Sequence, residues 1–212
     1  MLSIREFFTA CTGVWTTERT YHSVLSGQVE RSYTEFRVEP LTLEQKQPTF
    51  EFYSLNGIKV DTDQVKEDDH VCPGFAIAFD TISEKGEQVA MSLKALFVPD
   101  AYVVSEESPA KKPSLPIAAD VPVREEVIEG FYLRDEGYSE PGAIVGRFTY
   151  QPTRQILEMI TYYRRSVAVD QMRIVEDDIR LRTIITYERP QNGEPPTVIE
   201  LVGFGVERRQ KN

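Results

Sequence analysis

Two cysteines and two histidines are all that this chain of 212 residues sets aside for thiol or imidazole chemistry. Cys11 and Cys72 form no CxxC pair, so no disulfide framework is expected and a reducing compartment is the simpler reading. His22 and His70 give no zinc-ligand spacing, and no metal is expected. The GxSxG elbow, HExxH, the P-loop and GxGxxG are all missing, so the usual hydrolase and nucleotide-binding machinery is not expected. No 18-residue apolar run occurs, so no membrane span is expected. The N-terminal "MLSIREFFTACTG" lacks a basic patch followed by an apolar stretch, so no signal peptide is expected. Basic residues are also scarce. Lys and Arg number 24 against 34 Asp and Glu, for a net charge of -10, which argues against general nucleic-acid binding.

What the chain does contain is a core and a strong period of two. Hydrophobic residues make up 41% and aromatics 10%, enough to fill one large domain, read here as residues 1–212. Ser3 caps a short helix with Glu6 at the reciprocal position. Ile4, Phe7, Phe8 and Cys11 line one face of that helix, and Gly13 ends it.

After Gly13 apolar and polar residues alternate in segment after segment: "VWTTERTYHSVL", "VERSYTEFRVEPL", "TFEFYSL", "FAIAFDTI", "VAMSLKALFV", "EEVIEGFYL", "AIVGRFTY", "QILEMITYY", "SVAVDQMRIV", "IRLRTIITYER" and "TVIELVGFGVER". "NG", "EKGE", "EPG" and "PQNGEPP" supply turn chemistry between some of them. The result is an all-β, mainly antiparallel chain of ten or eleven strands. Short connections favour a meander, and closing it removes the sheet edges, giving an up-and-down barrel with the helix over one end. A β-sandwich is the alternative. Two segments break the pattern: "KVDTDQVKEDDHVCPG", a loop or short helix, and the Pro- and Ser-rich 105–122, read as a mobile loop.

The charges inside strands carry the functional signal. In "IRLRT", Arg180 and Arg182 share one strand face. Asp170 lies in the strand before and Glu207 in the strand after, while Arg147 and Tyr150 sit near another strand end. Outward-facing charge is the ordinary account of each. Inward, two planar guanidinium groups suit two carboxylates of one ligand, and Asp170 and Glu207 can satisfy the arginines or accept from ligand N–H groups. Arg19 and His22 are three apart on the first strand, so alternation puts them on opposite faces unless the strand bulges.

An ordered set of motifs resembles the S/U-type phycobiliprotein lyases. "FFTACTGVW" and "ERTYHS" are similar to that family's opening through Phe7, Phe8, Gly13, Trp15, Arg19, Thr20 and His22. "GFYLRDEGYSEPGAIVGRF" resembles its LLRD-x-GY-x-E…GRF segment, "IRLRT" its LRLRTS and "FGVE" its FCSE. The resemblance implies a lipocalin-like β-barrel that binds a linear tetrapyrrole, phycocyanobilin or a related bilin, and delivers it to a cysteine of a phycobiliprotein subunit. It implies Arg19, His22, Asp170 and Glu207 as catalytic positions, and Trp15, Arg147, Arg180 and Arg182 as pigment contacts. The bilin is then substrate, with no permanent cofactor. The partners are the apo-phycobiliprotein subunit and either a second copy or a related lyase, in cyanobacterial cytoplasm or plastid stroma. A non-catalytic carrier of a bilin or small acid, or the partner subunit of a heterodimeric lyase, are the other functions open to this sequence. The chain departs from the pattern at Cys11, Ser23 and Arg173, where the family has Ser, His and Trp, and near Phe79 and Asp80, where a family tryptophan is lost.

Overall fold

The alternating segments become ten antiparallel strands: β1 (Gly13–Ser23), β2 (Val29–Pro40), β3 (Gly74–Ser83), β4 (Gln88–Pro99), β5 (Ile128–Arg134), β6 (Ile144–Gln151), β7 (Ile156–Tyr162), β8 (Ser166–Glu176), β9 (Ile179–Glu188) and β10 (Ile199–Arg209). The structure is a computed structural model that describes residues 1–104, 115–116, 126–138, 140–191 and 193–211. The segment 105–122 lies outside the described residues except for 115 and 116. Each strand pairs with its neighbours in sequence, and β1 closes the barrel on β10. Closure leaves neither terminal strand as a free edge.

Alternation decides what enters the barrel. On β1, Trp15 and Thr17 are buried, while Glu18 and His22 are exposed. Trp15, Phe36, Val38, Phe75, Leu93, Phe97, Tyr132, Phe148 and Tyr150 belong to the inner core. Helix α1 (Ile4–Ala10) plugs one end of it. Ser3 and Glu6 form the expected capping box, and Phe7 and Phe8 point into the barrel core at 0% and 3% exposure. The Tyr150 hydroxyl donates to the Leu2 carbonyl at 2.7 Å and ties down the start of the plug.

One segment read as a strand is a helix. "TFEFYSL" completes α2 (Leu43–Leu55). The Phe50–Phe52 alternation suggested a period of two, but Phe50 and Tyr53 are the buried pair and Phe52 is 48% exposed. The Thr42–Gln45 capping box starts this helix upstream of the aromatic run. The acidic stretch that follows holds α3 (Thr62–Glu67), capped by Asp61. Together α2, α3 and the segment after them cover the outside of β4 and β5, packing Phe50, Tyr53, Val65 and Cys72 on Leu96, Val98 and Leu133. Among the described residues, no helix is long and apolar enough to cross a membrane.

Candidate functional site

The barrel encloses a cavity of about 430 Å³, inside the usual range of about 300–1,000 Å³ for small-molecule sites. Phe36, Phe75, Phe97, Leu157, Met159 and Met172 form much of its wall. Its charged lining is lopsided, with Arg19, Arg134, Arg180 and Arg182 against Asp170.

Behind this lining sits Glu207, which is 0% exposed. The Arg180 Nε donates to its Oε2, the Arg19 Nη2 donates to its Oε1 at 3.0 Å, and the Arg182 Nη1 lies 3.9 Å from Oε1. Burial works to raise the Glu207 pKa, but the three guanidinium charges outweigh it and hold the carboxyl below its ordinary value. The register of β1 on β10 explains why Arg19 can reach. Arg19 stands opposite Gly205, where a Cβ would come within 3.1 Å of its Cγ, and the bare glycine leaves the arginine a path across β10. Arg182 turns to Asp170 on the neighbouring β8, donating from Nε at 2.9 Å and also from Nη2.

Trp15 lies behind the lining, against the Arg180 guanidinium. It is fully buried, with the Arg180 guanidinium 4.0 Å from its ring centre and that of Arg209 at 4.9 Å. Its indole N–H donates to the Cys11 carbonyl at 3.1 Å, while Arg209 donates to the Ala10 carbonyl. The tryptophan thus clamps the plug helix's last turn to the arginine layer. Burial pushes the Cys72 thiol up to about 12 and raises that of Cys11, so neither is a ready nucleophile at neutral pH.

Six of the eight residues singled out in the sequence therefore meet here. Arg19, Asp170, Arg180 and Arg182 line the cavity, with Trp15 and Glu207 directly behind them. Two do not: His22, expected as a catalytic position, and Arg147, expected as a pigment contact, lie outside the cavity lining. His22 has the opposite parity to Arg19 on a strand with no bulge, so it is exposed on the outer face beside Phe204, ring centres 5.8 Å apart. Arg147 alternates outward between Gly146 and the buried Phe148. It forks onto Asp100, at 2.8 Å from Nη1, and lies over the Phe131 ring.

Sequence reasoning missed a second polar group in the same cavity. Arg134, 1% exposed, donates to the Tyr163 hydroxyl at 2.7 Å and lies over the rings of Tyr132, Tyr138 and Tyr163. From outside the barrel, the Tyr53 hydroxyl of α2 fixes this strand end, 2.6 Å from the Arg134 carbonyl and 2.9 Å from that of Ile144. Arg134 alternates with Leu133, which faces the helices, and that parity was the available signal.

Known proteins resemble this chain in architecture and in sequence. The S-type phycobiliprotein lyase CPES from Guillardia theta matches with a TM-score of 0.66, covering 100% of this chain and 94% of that one. At 16% identity the likeness is one of fold. The chromophore lyase CpcS/CpeS 1 of Synechococcus sp. (strain JA-3-3Ab) is 39% identical over 203 residues, covering 96% of this chain and 94% of that protein. The family described as CpeS-like protein matches residues 3–111 and 100–210. The chain belongs to the CpeS-like family.

Proposed function

We propose that this chain is a chromophore lyase, taking a linear tetrapyrrole into its barrel and promoting thioether attachment of that pigment to a cysteine of a phycobiliprotein subunit. The observation that carries the reading is the arginine–carboxylate wall of an otherwise apolar cavity, in a chain 39% identical to a chromophore lyase. A bilin matches that wall group for group. It has apolar rings, two acid side chains and inward-pointing pyrrole N–H donors. Arginine is suited to the acids because its fork can bind both carboxylate oxygens. Asp170 keeps acceptor capacity toward pyrrole N–H groups while paired with Arg182.

The chemistry requires little from the protein beyond position. The acceptor's sulfur bonds to the exocyclic carbon of the pigment's ethylidene group, and the thiol hydrogen ends on the adjacent ring carbon. No leaving group and no redox partner enters. The acceptor cysteine belongs to another protein, so the reacting end of the pigment must lie away from α1, at the end of the barrel that the helix leaves open. Holding one pigment conformer there converts a slow, unselective addition into an oriented one. Asp170, placed against the pyrrole nitrogens, favours the protonated and more electrophilic pigment.

Phycocyanobilin mixed with the protein and an apo-phycocyanin β subunit tests this. Covalent pigment is read on a denaturing gel by zinc fluorescence. Native-type product formed faster than without the protein is the expected result. Pigment uptake with no acceleration means a carrier instead, and neither uptake nor acceleration refutes the proposal for the chain acting alone.

A further inference from the structure

We propose that Arg134 is a second carboxylate anchor of the cavity, gripping one acid side chain of the pigment while the Arg180–Arg182 side takes the other. This rests on the pigment reading above and adds a residue to it. The argument begins with what each cavity arginine already holds. Arg19 and Arg180 are bonded to Glu207, and Arg182 to Asp170. Arg134 has no carboxylate partner among the described residues. Among these residues its Nη2 meets only the Tyr163 hydroxyl, and its buried Nε has no hydrogen-bond partner.

A buried guanidinium of this kind is costly to leave without an anion. The three tyrosine rings around it, at 5.3, 4.5 and 5.7 Å, return part of that cost through their negative faces. They also fix its plane, while Tyr53 fixes its backbone from behind. The group is therefore positioned and charged, and its side chain borders the cavity. Tyr132 and Tyr138 both flank the Arg134 guanidinium, and both line the same cavity as Asp170, Arg180 and Arg182. Two anion sites thus border one cavity. A ligand with two acids on one apolar frame satisfies both. A ligand whose one acid goes to the Arg180–Arg182 side leaves Arg134 without a carboxylate.

The test compares phycocyanobilin with its dimethyl ester, which has the same rings but no acid charge. Binding is read by absorbance titration on wild type, Arg134→Gln, Arg134→Lys and Tyr163→Phe, with melting curves to verify folding. One charge-assisted bidentate contact contributes about 10–100-fold in affinity. Arg134→Gln is expected to weaken the diacid by that factor and to change the ester by less than about threefold. Arg134→Lys should recover part of the loss, and Tyr163→Phe, which keeps the charge, most of it. If glutamine unfolds the barrel, the lysine variant still decides, because its smaller loss must appear for the acid and not for the ester. Equal losses for acid and ester, or no loss for either, overturn the anchor. Wild-type protein that binds both pigments equally overturns it too, leaving the pigment reading intact. Wild-type protein that binds neither refutes the pigment reading itself.

Discussion

Glu207 shows how one residue can hold a site together. It is sealed from solvent and, among the described residues, satisfied by arginines that also line the cavity. Removing Arg180 as Arg180→Met leaves that carboxylate short of its main partner. The expected loss is about 3–5 kcal/mol of stability, the usual cost of breaking a buried pair, measured by urea unfolding at neutral pH. The pH sign follows from the lowered pKa. Glu207 stabilises the fold fully above its ordinary value of 4.5, and that contribution is lost as the pH falls through the lower folded-state value.

Glu158 behaves in the opposite sense. It is 1% exposed, Gln171 donates to one of its oxygens, and the other oxygen has no partner among the described residues. Burial raises its pKa above the ordinary 4.5 despite the Gln171 bond, so ionising it opposes folding as the pH rises through the unfolded and then the folded value. Glu158→Gln should therefore stabilise the protein at pH 7 by about 1 kcal/mol and by less at pH 4. Melting temperatures at the two pH values check this, and an equal effect at both would contradict it. The pairing of Arg180 with Arg182 on one face was legible because the period of two fixes it. The absolute direction was not legible for Arg147, because only its neighbours across β5 and β7 decide which parity faces in. Arg134 was matched to a family segment but given no site role, for a similar reason, since its tyrosine surroundings come from residues 29 and fewer positions away that only the folded barrel gathers.

At the scale of elements, α1 acts as a stopper; its start was readable from Ser3 and Glu6, while its end falls at Ala10, short of the Gly13 that the sequence suggested. Phe8 packs its ring against Phe75 and Phe97 at 5.3 and 4.6 Å. Phe8→Ala should cost about 3–5 kcal/mol, as large-to-small core changes do, visible as a lower urea midpoint with an unchanged slope. An undiminished midpoint would mean that the helix does not close the barrel. Helix α2 was misread because short aromatic runs fit both periods. What decides between them is the outer surface of β4 and β5, which Phe50 and Tyr53 cover at i,i+3 spacing. That surface is built from residues some forty or more positions further along the chain, so no local window contains it.

For the whole molecule, the barrel reconciles an acidic protein with an anionic ligand. The chain has a net charge of -10, yet its cavity gathers four arginines around one lining carboxylate and one buried behind it. Closure is what makes this possible, because inward positions on ten strands converge on one space. The most direct measurement of the account is to fill that space and leave the exterior alone. Ala168 lines the cavity from β8, between Thr161 and Thr186. Ala168→Trp, with its fold verified by circular dichroism, is compared with wild type for the rate of covalent phycocyanobilin attachment to the apo-subunit. The account predicts that attachment falls to the rate without protein. Attachment at the wild-type rate with the barrel filled would place the chemistry somewhere other than the cavity.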